Sequence, residues 1–120
     1  MRKSIPLVAL TSALALAPAP ALAHAKVVSS NPAANAVIAP PRQVSVTFSE
    51  KLVPAFSKVE ISMAGMNMAV PVKTSVSTDG KTIVAVPQGA FMKGAYVIKW
   101  SAAAADDGHH TAGTIPFKIK

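Results

Sequence analysis

The segment Gly94–Trp100 reads GAYVIKW, and its largest side chains fall at every second position. Tyr96, Ile98 and Trp100 lie on one side of this alternation, and smaller or charged residues lie on the other. Successive side chains of a β-strand point to opposite faces of a sheet, so the pattern predicts a strand with one buried face. We expect Trp100 to belong to the hydrophobic core.

Short segments of the same kind recur between residues 26 and 119, with turn residues between them. They are Lys26–Val28, Gln43–Phe48, Lys58–Met63, Val70–Val76, Lys81–Val86 and Thr114–Ile119. Pro71 favours a sheet edge or a strand start, because proline cannot donate a hydrogen bond within a sheet. No amphipathic helix is predicted between these segments. About seven short strands predict an all-β fold, a Greek-key antiparallel β-sandwich with Phe117 in its core.

Composition limits the classes of function. A chain of 120 residues is long enough for one domain. It carries 12 Lys and Arg against 5 Asp and Glu, but the basic residues are scattered and aromatic residues make up only 5%. A nucleic-acid surface needs clustered basic residues, so we expect no nucleic-acid partner. The absence of cysteine excludes disulfides, thiolate metal sites and cysteine nucleophiles.

Residues 1–23 have the three parts of a signal peptide, which is removed on export. Two basic residues are followed by an apolar stretch at Ile5–Pro18 and by the small-x-small cleavage pattern Ala21–Ala23. The apolar stretch has about 14 residues, whereas a transmembrane helix needs roughly 20. We therefore predict a leader at 1–23 and an exported, periplasmic domain at 24–120 that is not membrane-embedded. An uncleaved membrane anchor is the alternative.

Cleavage after Ala23 would make His24 the first residue of the exported protein. An N-terminal histidine offers an α-amino nitrogen and an imidazole nitrogen to one metal ion, and such nitrogen-rich ligation suits Cu(II). Cleavage after Ala25 also fits the small-x-small pattern and would remove the histidine. We favour the cut after Ala23; the alternative is that a histidine simply follows the leader.

The segment Asp106–His110 contains two of the three histidines. Asp107 and His109 are two residues apart, so their side chains point the same way in an extended segment. Carboxylate and imidazole groups are both ligands for Cu(II), and Gly108 permits a bend between them. The alternative is a polar turn with solvated histidines. The sequence alone does not show that this loop meets His24.

Three methionines, Met63, Met66 and Met68, lie within six residues. Thioethers are soft ligands that favour Cu(I). A glycine and an asparagine between these methionines predict an exposed turn, although apolar packing by flexible side chains is the alternative. Met92 stands alone in the sequence and is expected to pack.

Six segments, in this order, carry a family resemblance. They are Ala21–His24, Lys26–Ala33, Val46–Leu52, Gly94–Trp100, Asp107–His109 and Gly113–Phe117. No single segment is diagnostic, but the ordered set resembles the CopC family of periplasmic copper-resistance proteins, also called CopC/PcoC/YobA-like. The resemblance covers nearly all of the predicted exported domain.

The resemblance implies a Greek-key β-sandwich of immunoglobulin or cupredoxin type, with a Cu(II) site at one end. His24 would supply its amino nitrogen and one imidazole nitrogen, an arrangement similar to a histidine brace. His109 would supply a second imidazole and Asp107 a carboxylate. Glu50 matches a family glutamate that is an outer ligand or a neighbour of the site; the alternative is a surface glutamate. The resemblance assigns no role to His110.

The resemblance also implies a function, a periplasmic carrier or buffer for copper in homeostasis or resistance. Its partner would be a CopD-type inner-membrane copper transporter or another periplasmic copper protein. The methionine loop is shorter than in some family members and lacks their histidine, which leaves at most a weak Cu(I) site. The alternatives are a metal-free immunoglobulin-like adhesion or assembly domain and a copper-dependent oxidative enzyme. With one Trp and one Tyr, the chain lacks the aromatic face such an enzyme would use.

Overall fold

The computed structural model describes residues 24–120, and the predicted leader lies outside the described residues. Nine strands follow in chain order: β1 (Val27–Asn31), β2 (Val37–Ile38), β3 (Val44–Phe48), β4 (Lys58–Met63), β5 (Ala69–Val70), β6 (Val72–Val76), β7 (Thr82–Pro87), β8 (Gly94–Ala103) and β9 (His110–Ile119). In this part of the chain, a 3₁₀ turn at Pro54–Phe56 is the one helical element. None of the described helical structure has the length and apolarity required to cross a membrane.

The strands form two sheets, with the orders β1-β3-β7-β6 and β2-β9-β8-β4-β5. The paired strands are antiparallel, except that β2 lies parallel to β9. One hydrophobic core takes residues from both sheets. The first sheet contributes Val44, Val46, Phe48, Ile83 and Ala85; the second contributes Val59, Ile61, Tyr96, Ile98, Ile115, Phe117 and Ile119. The predicted all-β sandwich is confirmed.

Alternation of side chains accounts for which faces are buried. In β8, Tyr96 and Ile98 are buried, and Trp100 is half-buried against the core. The Trp100 ring meets the Phe48 ring edge-on, with centroids 5.1 Å apart. Phe117 in β9 is also buried. The two predicted core aromatics therefore lie where the alternation placed them.

The prediction of one strand over Val70–Val76 is wrong. Pro71 separates β5 from β6, and the two strands belong to different sheets: β5 pairs with β4, and β6 pairs with β7. Proline has no N–H to donate to a ladder, and its carbonyl here accepts the Gln88 N–H at 2.7 Å. The chain thus crosses from one sheet to the other at the proline.

The β8–β9 hairpin sets the long axis of the sandwich. Gly94 lies opposite Ile119 at one end, and Ala103 lies opposite His110 at the other. Because Tyr96 pairs with Met63 of β4, the methionines belong to the first end and the histidines to the second. Tyr96, beside Met63, and Ala103, beside His110, are seven residues apart in β8, which corresponds to roughly 23 Å.

Candidate metal centre

The loop between β8 and β9 carries the Asp-Gly-His sequence and is closed by its own backbone. The Ala104 N–H donates to the His109 carbonyl at 3.0 Å, and the Gly108 N–H donates to the Ala104 carbonyl at 2.9 Å. Gly108 has a φ of +70°, a left-handed conformation that glycine adopts without steric cost. The loop is therefore a tight turn that presents Asp107 and His109 at one end of the sandwich.

The residues that follow His24 are tied to this same end. The Lys26 N–H donates to Ser49 Oγ at 3.0 Å, and the Ser49 N–H donates to the Lys26 carbonyl at 2.8 Å. Thr111 Oγ1 donates to the carbonyl of the buried Ala25 at 2.9 Å. These anchoring roles of Ser49 and Thr111 were not predicted, because serine and threonine are common at strand ends. Together they fix the N-terminal segment against β3 and β9.

This anchoring brings the His24 ring against the His109 ring. The ring centroids are 4.7 Å apart and the planes meet at 69°. Asp107 lies on another side of His109: its Oδ1 accepts the His109 backbone N–H at 2.9 Å, and its Oδ2 is 3.4 Å from Nδ1. The fold thus brings His24 to Asp107 and His109, which lie more than 80 residues later in the chain.

The pKa of Asp107 lies below its ordinary value. The main cause is the hydrogen bond from the His109 backbone N–H; desolvation opposes it, and positive charge on His109 and His24 lowers the pKa further. Asp107 is therefore ionised at neutral pH. Its negative charge favours a cation beside the two imidazoles.

Glu50 and His110 lie at this end without joining the cluster. Glu50 precedes Lys51, whose carbonyl accepts the Ala105 N–H at 2.8 Å. Within residues 24–120, no ion pair connects Glu50 to a histidine. His110 begins β9 on its outward face, and its ring lies 6.4 Å from the ring of Phe56.

The donor groups around His109 are of types that bind copper, but they do not form a complete set of ligands in this structure. Among residues 24–120, no three His, Cys, Asp or Glu side chains stand in an arrangement that would hold a metal ion. In the full chain the His24 nitrogen is a peptide nitrogen, and cleavage before His24 would convert it into an amine. Asp107 occupies the Nδ1 side of His109, which leaves Nε2 as the nitrogen available to a metal. Two imidazoles, an amine and a carboxylate suit Cu(II).

The structure divides the methionines. Met63 ends β4 and is half-buried, whereas Met66 and Met68 are exposed on the turn that follows, as the sequence predicted. Met92 is 62% exposed, so the expectation that it packs is wrong. It stands in the loop between β7 and β8 and lines one cavity with Met63 and Met68. Because Met92 is isolated in the sequence, no local pattern predicts that it shares a cavity with Met63 and Met68.

The chain is similar to known copper proteins over most of its length. The CopC domain model matches residues 27–120. Copper resistance protein C from Xanthomonas campestris pv. juglandis is 34% identical over an alignment of 124 positions, which covers 98% of this chain and 97% of that protein. Copper resistance protein C from Pseudomonas syringae pv. tomato is 37% identical over 119 residues, with 94% of each chain covered.

Solved structures agree with these sequence similarities. PcoC, a methionine-rich copper resistance protein from Escherichia coli, matches with a TM-score of 0.73 and 32% identity; the match covers 82% of this chain and 100% of PcoC. CopC from Methylosinus trichosporium OB3b, at 23% identity and a TM-score of 0.72, shares the fold. The matched domain, the relatives and the two-sheet structure together show that this chain belongs to the CopC family.

Proposed function

We propose that this protein carries or buffers copper in the periplasm and holds Cu(II) at the His24–His109 end of the sandwich. As a member of the CopC family it is a copper-binding protein of the copper-resistance class and not an enzyme. The predicted leader supports export, and the proposed partner is a CopD-type membrane transporter or another periplasmic copper protein.

The contact between the two histidine rings carries the proposal. His24 would contribute its amine and one imidazole nitrogen after cleavage behind Ala23, and His109 would contribute Nε2. Asp107, whose oxygens already face His109, would supply the carboxylate and hold that ring in place. Glu50 would stand further out, as an outer ligand or a neighbour of the site.

Exposure of the cluster supports a carrier over a closed structural site. The His109 side chain is 50% exposed and the His24 residue is half-buried. A metal held there remains open on one side, so another protein can approach it and exchange ligands. Buried metal sites with every position filled by the protein serve stability instead.

Substitution of His109, with substitution of His110 as the control, tests the proposed ligand set. We expect His109→Ala to lower the Cu(II) affinity about a hundredfold, because an imidazole ligand is lost. His110→Ala is the matched control: the same residue type changes one position away, on the outward face, and we expect less than about a threefold effect. Competition with a Cu(II) chelator of known affinity measures both. Equal losses in the two variants, or none in either, would contradict the ligand assignment.

Acidification is expected to weaken Cu(II) binding between about pH 7 and pH 5. Amine and imidazole nitrogens bind only when deprotonated, so protons compete with the metal for them as the pH falls. Asp107 does not cause this loss, because its lowered pKa keeps the carboxylate ionised throughout the range. The same chelator competition at several pH values measures the slope, and Asp107→Asn should keep that slope. Cu(II) affinity that does not change with pH would exclude nitrogen ligation.

The methionine turn is a second candidate site, for Cu(I). The three methionines named from the sequence, Met63, Met66 and Met68, offer thioethers, which bind Cu(I) in preference to Cu(II). Exposure of Met66 and Met68, at 56% and 53%, supports a role other than core packing. The site lies at the end of the sandwich opposite the histidines, so the two copper sites would be independent.

A further inference from the structure

A cavity of about 230 Å³ lies at the methionine end, between the turn after β4 and the loop after β7. Three methionines line it: Met63 at the end of β4, Met68 after the turn, and Met92 in the loop after β7. Among the described residues that line it, Tyr96 is the only other one with a polar side-chain atom. The cavity therefore concentrates sulfur donors in otherwise apolar surroundings.

The Tyr96 hydroxyl is already engaged by the backbone of Met92. It accepts the Met92 N–H at 2.8 Å and donates to the Met92 carbonyl at 2.9 Å. A hydroxyl has one proton to donate, and this bond uses it. The paired bonds also hold the Met92 backbone over a buried residue of β8. The three thioethers thus remain as the free side-chain donors of the cavity.

Met63 reaches the loop of Met92 because a glycine leaves room for it. The Met63 methyl carbon lies 3.3 Å from the point where a Cβ on Gly94 would stand. Gly94 has a φ of +147°, which also favours glycine at this position. On the other side, the Met63 N–H donates to the Met68 carbonyl at 3.1 Å. Met63 is therefore close to the start of β8, two residues after Met92, and is bonded to the Met68 backbone.

Met66 lies elsewhere. It is absent from the described lining of the three-methionine cavity and borders two shallow cavities on the outer face of the β4–β8 sheet. Lys99 lines both of these. Glu60 also lines one of them, so the surroundings of Met66 carry charges of both signs. Met66 meets neither Met68 nor Met92 there, whereas no charged side chain is among the described lining of the three-methionine cavity.

We propose that Met63, Met68 and Met92 form a three-sulfur Cu(I) site across the two loops, and that Met66 is not a ligand. This inference rests on the proposed Cu(I) function and changes its ligand set. Three neutral thioethers match the preference of Cu(I) for soft donors and add no charge to the apolar cavity. Met68 and Met92 are 53% and 62% exposed, so the metal can enter and leave from solvent.

Thioether ligands also give this site a pH response different from that of the histidine site. A thioether carries no proton in the range where imidazoles titrate, so Cu(I) binding has no proton competitor there. We expect Cu(I) affinity to change by less than about threefold between pH 7 and pH 5, the interval over which Cu(II) binding weakens.

Four single leucine variants test the ligand set under anaerobic conditions, with Cu(I) as the probe and bicinchoninate as the competitor. Leucine is close to methionine in volume and polarity and lacks the sulfur. We expect Met63→Leu, Met68→Leu and Met92→Leu each to lower the Cu(I) affinity at least about tenfold. Met66→Leu is the matched control from the same turn and should stay within about twofold of the unchanged protein.

Methionine methyl NMR signals give a second readout that requires no variant. In the unchanged protein, one equivalent of Cu(I) should shift the signals of Met63, Met68 and Met92 and leave that of Met66 in place. A shift of Met66 without Met92, or a Met92→Leu variant with unchanged affinity, would overturn the assignment. No Cu(I) binding at all would overturn it too. Cu(II) titration of the same samples measures the histidine site independently. Every leucine variant should retain Cu(II) binding, whatever happens to Cu(I) binding.

Discussion

A protein that begins at His24 is expected to bind Cu(II) about a thousandfold more tightly than one with an extra alanine before His24. That ratio corresponds to about 4 kcal/mol of binding free energy. The α-amino nitrogen and imidazole Nδ1 of an N-terminal histidine close a six-membered ring with the metal, so the second nitrogen binds at a high effective concentration. The added alanine converts the His24 amine into a peptide nitrogen, a much weaker donor, and moves the free amine one residue away from the imidazole. Both imidazoles remain, and one chelating donor is lost.

Chelator competition on the two purified proteins measures this ratio. A protein that begins at Ala25, the product of the alternative cleavage, is the matched control, because it lacks the whole of His24. It should bind Cu(II) no more tightly than the extended protein. Intact mass of the exported protein shows which start occurs in the cell. Equal affinity with and without the extra alanine would exclude the amine as a ligand and leave only the two imidazoles and Asp107.

Local patterns were sufficient to predict the fold, because the sandwich uses strands with one buried face. The predicted strand Lys58–Met63 has the same bounds as β4, and the buried alternation in β8 follows its sequence. Strand β2, in contrast, has only two residues and lies parallel to the end of β9. Two residues do not establish a period, so a contact of this kind leaves no sequence signal.

Strand β9 is another case in which part of a strand was not predicted from the sequence. The sequence predicts Thr114–Ile119, but the strand begins at His110, four residues earlier. Those earlier residues pair with the end of β8, where Ala103 lies opposite His110. Pairing with an existing strand needs only backbone hydrogen bonds, so the extension does not depend on alternating side chains. It also places His110 on a strand and leaves His109 in the loop.

The two candidate copper sites depend on contacts between distant segments, and only some of these contacts can be predicted from the sequence. The donor types of Asp107 and His109 are visible in one short segment. Their meeting with His24 requires Lys26 to bond Ser49, a contact across the β1–β3 pair that no local pattern specifies. The family resemblance supplied that juxtaposition. Met92 had no such support, since it is isolated in the sequence and reaches Met63 only through the β4–β8 pairing.

Gly113→Ala is expected to destabilise the domain by about 1–3 kcal/mol, the usual cost of overfilling a packed site. A Cβ at Gly113 would lie 2.6 Å from Cζ2 and 2.8 Å from Cε2 of Trp100, which faces it across the β8–β9 ladder. The indole would have to move, and its edge-on contact with Phe48 would be lost. Trp100 is the only tryptophan, so its fluorescence during urea unfolding measures the change.

The same Gly113→Ala substitution, made in a Trp100→Leu protein, separates the clash with the indole from a general cost of changing Gly113. In Trp100→Leu protein, the ring that blocks the Cβ is gone, and alanine is a better strand residue than glycine because it has less freedom to lose on folding. Gly113→Ala should therefore be neutral or stabilising there, by up to about 1 kcal/mol. The sign of the substitution thus depends on whether the indole is present. Circular dichroism during urea unfolding measures both backgrounds, because the Trp100→Leu protein has no tryptophan to report by fluorescence. A loss of the same size in both backgrounds would show that Gly113 is required by the backbone of β9 and not by the ring of Trp100.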